Sequence, residues 1–207
     1  MDLVGKSVLV VGTGISGVAA VKLLSTKRAN IIFQDANVKI KEQDILDKLP
    51  KSVDVKVVVG EVSEELLNTI DLVVLSPGVP TDLPYITALK DKGVPVWGEI
   101  ELAFQFSKGK MAAITGTNGK TTTTALVGEI MKHYYVSVYV VGNIGIPYTD
   151  MVLNTKGSSI TVAEMSSFQL ETVHHLLQMK PAERALSVIS DVIRLISFST
   201  HSVIRSH

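Results

Sequence analysis

The sequence predicts an α/β protein built on parallel sheets, and three observations carry that prediction. The chain of 207 residues is 46% hydrophobic but only 5% aromatic, the composition of Val/Ile-rich parallel strands. Short apolar runs alternate with segments of helical period along its length. Two of those runs lead straight into glycine turns that open helices, at Gly12–Gly17 and at Gly116–Gly119.

Taken in order, Ser7 to Val11 reads as a short buried strand. It enters Gly12-Thr13-Gly14-Ile15-Ser16-Gly17, a full G-x-G-x-x-G, and Val18 to Leu24 follows at helical spacing. Ile31-Ile32-Phe33 is a second strand, with Asp35 just past its end. This is a Rossmann-like βαβ unit with an acidic residue about 20 positions after the glycines. A diphosphate fits the start of such a helix, and Asp35 can accept a hydrogen bond from a sugar or base. Val38 to Pro50 is charged, a surface loop plus a helix, and Val55 to Val59 is a strand. Ser63 to Thr69 is a short helix with Ser63 as N-cap and Glu64 and Glu65 in its first turn. Asp71 to Leu75 is a buried strand ending in the rigid turn Ser76-Pro77-Gly78-Val79-Pro80, which reads either as simple turn chemistry or as part of the ligand crevice at the carboxyl ends of an open α/β sheet. Tyr85 to Lys92 reads as a helix, Val94 to Trp97 as a strand, and Gly98 to Phe104 as the start of another helix.

The polar stretch Ser107-Lys108-Gly109-Lys110 suggests a boundary, with one domain over residues 1–98 and a second over 99–207. The second domain opens with the strand Met111 to Ile114, then Thr115-Gly116-Thr117-Asn118-Gly119-Lys120-Thr121-Thr122, then a helix expected to end near Tyr135. Strand, glycine loop, Lys-Thr and helix form a phosphate-binding loop. The glycines let backbone N–H groups converge on an anion, the helix adds its dipole, Lys120 adds a point charge, and the Thr121 hydroxyl can sit on Mg²⁺. The common spacing places a glycine five positions before Gly119, with four residues between; Ile114 stands there instead, so this loop is a shortened form. Val136 to Val141 and Ser159 to Ala163 are further strands. Glu164, at the end of the latter, has the chemistry of an Mg²⁺ ligand or of a helix-start carboxylate.

The totals exclude several classes. Formal net charge is zero, which offers no pull toward nucleic acid or an anionic membrane. There is no cysteine, so disulfides and thiolate metal sites are out, and a cytoplasmic location is expected. No basic segment leads into an apolar signal core, and no apolar run reaches about 18 residues. The adjacent pair His174 and His175 reads as solvated, not as metal ligands.

The motifs together resemble the Mur ligases of peptidoglycan synthesis. The match rests on Gly12 to Gly17, on Ser76-Pro77-Gly78-Val79, on Thr115 to Thr122, and on Gly142-Asn143-Ile144-Gly145. A fifth motif, Glu164-Met165-Ser166-Ser167-Phe168-Gln169-Leu170-Glu171, points to the D-glutamate-adding branch. The resemblance implies that the first domain holds the UDP end of UDP-N-acetylmuramoyl-L-alanine through Ile15, Ser16, Asp35 and Gly78. It implies that Gly116, Thr117, Asn118, Gly119, Lys120, Thr121 and Thr122 bind ATP, and that Thr121 and Glu164 serve Mg²⁺. Asn143 and Ser166 match positions near the muramoyl-alanine end and the metals. Lys120 and Glu164 would be the catalytic pair of an ATP-dependent amide ligase joining D-glutamate through an acyl phosphate. Asn37 stands where relatives often carry a basic or polar residue, and brings no charge to the diphosphate. A cytoplasmic monomer is implied.

After about His174 the later family motifs and a C-terminal domain do not follow, so a truncated or frameshifted chain with an incomplete central domain, inactive alone, is expected. Ala185, Ile189, Val192, Ile193 and Ile196 form a generic apolar stripe. Two alternatives stand beside the ligase: a non-catalytic UDP-sugar- or nucleotide-binding remnant, and an NAD-binding oxidoreductase domain read from the first βαβ unit alone.

Overall fold

A computed structural model describes residues 1–143 and 146–173. Ile144, Gly145, the His174–His175 pair and the 185–196 stripe lie outside the described residues. The chain forms two compact units. Residues Met1–Ser107 make the first, joined by Pro147–Asn154 and 168–173; Lys108–Ile146 and Thr155–Ser167 lie in the second.

The first unit is a five-stranded parallel sheet of β1 (Ser7–Val11), β2 (Asn30–Asp35), β3 (Lys56–Val59), β4 (Leu72–Leu75) and β5 (Val96–Gly98). The strand order is β3-β2-β1-β4-β5. Leu9 of the central strand pairs with Ile32 on one side and Val73 on the other. Its apolar run is continuous because helices cover both faces. Around the sheet stand α1 (Ile15–Thr26), α2 (Glu42–Leu46), α3 (Glu64–Leu67), α4 (Pro84–Asp91) and α5 (Glu99–Phe104). Leu9, Val11, Val73 and Leu75, two apart along their strands, share one face with Ile86 and Leu89 of α4. The Ser63 hydroxyl accepts the Leu66 N–H at 3.3 Å and caps α3, as its sequence predicts. β5 begins at Val96, not at Val94. The Val94 N–H closes α4 on Leu89, and Pro95, which has no N–H, offers only its carbonyl, to Val73.

A helix that the sequence reading did not contain, α6 (Tyr148–Met151), continues into a 3₁₀ turn over Val152–Asn154 and packs with the first unit. Glu99 fastens it. Its Oε1 accepts the Thr149 N–H at 2.6 Å and the Thr149 hydroxyl at 2.7 Å. The Tyr148 hydroxyl donates to Ser107 Oγ at 2.7 Å. Burial pushes the Glu99 carboxyl above its ordinary value, with Asp150 adding to the rise, and the donors from Thr149 and Tyr148 recover only part of it.

The second unit is a three-stranded parallel sheet in the order β6-β8-β7, with β6 (Lys110–Ile114), β7 (Val138–Gly142) and β8 (Ile160–Glu164). Central β8 is buried throughout, whereas β7 is half-buried except at Val141. Helix α7 (Lys120–Met131) crosses this sheet, with Val127 against Ile114 and Val162. Gly128 lets it approach closely, since a Cβ there would stand 2.6 Å from Val140 Cγ2. The helix stops at Met131, short of Tyr135, and β7 starts at Val138, because the chain needs 132–137 to return; Val136 is fully exposed in that turn. A last short helix, α8 (Ser167–Leu170), belongs in part to each unit.

Candidate functional site

The strand order of the first sheet reverses between β1 and β4, so the loops after these strands diverge and leave a crevice at their carboxyl ends. The first loop is Gly12–Gly17. Gly17 comes so close to it that a Cβ would lie 1.9 Å from the Gly12 carbonyl oxygen. Gly12 itself has φ +93°, and a Cβ there would stand 3.0 Å from Ser76 and Val79 of the second loop. The Ser76 hydroxyl donates to the Gly12 carbonyl at 3.0 Å and joins the two loops. Gly78 lies in that second loop with open space around it. Ile15, the first residue of α1, is 78% exposed at the rim, and Ser16 beside it is half-buried. No side chain caps α1, so its first-turn N–H groups face the crevice uncapped.

Asp35 ends β2 and is held by its neighbours. Its Oδ2 accepts the Thr13 N–H at 3.1 Å and the Thr13 hydroxyl at 2.5 Å, while Oδ1 accepts the Asn37 N–H at 3.0 Å. Burial pushes this carboxyl up, but the Thr13 and Asn37 donors and the Lys48 charge outweigh it and hold the group below its ordinary value. The structure therefore brings Ile15, Ser16, Asp35 and the Gly78 turn to one crevice. It adds two residues that the motifs did not single out, Thr13 and Lys48; the ammonium of Lys48 donates to the Thr13 carbonyl at 3.0 Å. Alongside, Ser76, Pro77, Thr81, Glu99, Gln169 and Thr172 line a small cleft past the ends of β4 and β5.

In the second unit the loop Thr115–Gly119 joins β6 to α7. Gly119 is the N-cap of α7 at φ +74°, a backbone state that glycine adopts without strain. Thr117, Asn118, Thr121 and Thr122 are exposed, and Gly116 is half-buried. The Lys120 ammonium folds back onto the loop, donating to the Gly116 carbonyl at 2.7 Å and to the Thr117 carbonyl at 3.3 Å. Glu164 pairs in register with Ile114, the residue that leads into this loop, and with Gly142 on the other side. Its side chain is 4% exposed, and Oε2 has no hydrogen-bond partner. A Cβ on Gly142 would stand 2.1 Å from the Glu164 carbonyl oxygen, and that oxygen accepts the Asn143 N–H at 3.2 Å. Ser166, two residues on, is half-buried. An orphaned buried carboxylate oxygen beside a glycine loop fits a divalent cation. Among the described residues no cluster of three or more His, Asp or Glu could hold a metal, so phosphate and water oxygens would supply most of the shell, as Mg²⁺ commonly accepts.

The N-terminal domain model of MurD-like Mur ligases matches residues 6–98, and the Mur ligase middle-domain model matches residues 114–192. The chain belongs to the Mur ligase family. The middle-domain match runs past His174, where the family's short motifs end. Relatives named UDP-N-acetylmuramoylalanine–D-glutamate ligase are similar over the same region. That of Lachnoclostridium phytofermentans is 60% identical over 173 residues, covering 84% of this chain and 38% of the relative. That of Lachnospira eligens is 56% identical over 174 residues, and that of Alkaliphilus metalliredigens 46% over 175, with the same two coverages. The chain thus spans 38% of the length of the curated Mur ligases it matches. No helix among the described residues is long and apolar enough to cross a membrane.

Proposed function

We propose that this chain carries the UDP-substrate and ATP-binding domains of a cytoplasmic, ATP-dependent amide ligase that adds D-glutamate to UDP-N-acetylmuramoyl-L-alanine. The observation that carries the reading is the second glycine loop: Lys120 lies on its carbonyls, and the unpartnered Glu164 carboxylate ends the strand beside it. An oxidoreductase domain gives neither residue a task.

In the proposed reaction the carboxylate of UDP-N-acetylmuramoyl-L-alanine attacks the γ-phosphorus of ATP, giving an acyl phosphate and ADP. The amine of D-glutamate then attacks the acyl carbon, phosphate leaves, and the amine proton goes to solvent or to the departing phosphate. No protein nucleophile is required; the work is alignment and charge neutralisation. N–H groups at the start of α1 orient the diphosphate. The Lys120 ammonium exchanges its two loop carbonyls for phosphate oxygens. Thr121 and Glu164 would hold Mg²⁺, which when bound neutralises charge on the transferred group.

Titrating the ¹⁵N-labelled chain tests this reading. UDP-N-acetylmuramoyl-L-alanine should shift the amides of residues 12–17, 35 and 78, and ATP–Mg²⁺ those of residues 116–122. NAD shifting the first set while the UDP compound leaves it unmoved would overturn the assignment.

A further inference from the structure

We propose that Lys48 is the cation which the N-terminal cradle presents to the anionic half of a nucleoside diphosphate. The proposal rests on the UDP reading of that cradle and names the residue that reads the phosphates. Lys48 follows α2, and its backbone is fixed from both sides. Ile45 and Leu49 are buried, and the Lys48 N–H donates to the Ile45 carbonyl at 3.2 Å. The side chain then reaches into the loop, where Nζ donates to the carbonyl of Thr13, in the middle of Gly12-Thr13-Gly14, at 3.0 Å.

That contact is with a neutral oxygen. Among the described residues no carboxylate lies within ion-pair distance of this ammonium, whose charge helps from further off to hold the Asp35 carboxyl down. An ammonium has three donors, so two remain once Thr13 is served. The start of α1 beside it has no capping side chain. Asn37, the other polar residue leaving β2, brings no charge, and its Oδ1 already accepts the Lys39 N–H at 3.1 Å. The cradle therefore holds one anchored cation next to uncapped N–H groups, a pairing suited to phosphate oxygens.

A nucleoside without phosphates gives Lys48 nothing to bind, and that separates reading the anion from bracing the loop. The full chain and its Lys48→Met variant (K48M) are titrated with UDP and with uridine by calorimetry or ligand-observed NMR. Lys48 is exposed, so the far-UV spectrum should be unchanged; Lys48→Gln is the second variant if it is not. The expected result is a UDP dissociation constant raised on the order of tenfold, the weight of one charge-assisted hydrogen bond, with uridine binding unchanged within about twofold. Equal loss for both ligands makes Lys48 a loop brace and overturns the proposal, as does no loss for either. A parent chain that binds neither ligand sinks the UDP reading and this proposal together, whereas UDP binding undisturbed by either variant sinks the Lys48 assignment alone.

Discussion

Gly17→Ala should open the N-terminal cradle, and the size of its effect follows from one distance. The new Cβ would lie 1.9 Å from the Gly12 carbonyl oxygen, whereas ordinary contact begins at 3.4 Å, so the two must part by 3.4 − 1.9 = 1.5 Å. The opposing atom is backbone, so no side-chain rotation relieves the overlap. α1 must lift from the end of β1, or the loop must deform. Overpacking of this kind costs ~1–3 kcal/mol, and a clash with backbone belongs at the upper end. On a chain of this length ~3 kcal/mol lowers the melting temperature by about 6–12 °C. Gly14→Ala is the control. Gly14 has φ −75° and open space around it. The roughly 0.5–1 kcal/mol that alanine loses against glycine at an N-cap is partly offset by a stiffer unfolded chain, so the change stays within about 1 kcal/mol. Thermal unfolding followed by circular dichroism reads both variants. Gly17→Ala melting within about 2 °C of the parent, or Gly14→Ala losing as much as Gly17→Ala, would refute the close approach on which the cradle is built.

Other outcomes follow from the same geometry. Lys120→Ala should weaken ATP–Mg²⁺ binding by more than about tenfold while leaving UDP binding unchanged, since the two loops lie in separate units; calorimetry with each ligand checks this. Glu164→Gln should abolish the gain in ATP affinity that Mg²⁺ confers, measured by titrating ATP with and without the metal; a gain that survives removes Glu164 from the metal's ligands. Glu99→Ala should cost roughly 2–4 kcal/mol in denaturant unfolding, because two buried donors of Thr149 lose their acceptor. The Glu99 carboxyl is raised by burial, so the folded chain holds its proton more tightly than the unfolded one. The contribution of that group is complete below the unfolded value and declines as pH rises through the folded one. Melting temperatures of the parent relative to Glu99→Gln should fall across that window, and a flat difference would contradict the shift.

Much of the fold was legible because parallel strands advertise themselves. Val8 to Val11 and Leu72 to Leu75 are unbroken apolar runs, and each glycine turn follows such a run. Both acidic residues at strand ends, Asp35 and Glu164, could be picked out by position alone. What escaped was whatever depends on contacts distant in sequence. Nothing around Thr13 announces that it would engage Asp35 22 residues later, nor that Lys48 would reach it from 35 residues away. A lysine held against a loop carbonyl looks, in sequence, like any surface lysine; the signal is its place between the buried Ile45 and Leu49. The short α6 was missed for a related reason. Tyr148 to Asn154 has no helical stripe long enough to see, and it is held in place by Glu99, 50 residues earlier. Pro95 was the one local signal that could have moved the start of β5.

Calorimetric titration of the whole chain with UDP-N-acetylmuramoyl-L-alanine and ATP–Mg²⁺, singly and then each in the presence of the other, goes most directly to the claim that two glycine loops hold two phosphorylated compounds. The account expects one equivalent of each to bind whether or not the other is present, with Lys120→Ala deleting only the ATP event. Mutual exclusion of the two ligands at a single site, or loss of both events in Lys120→Ala, would contradict it.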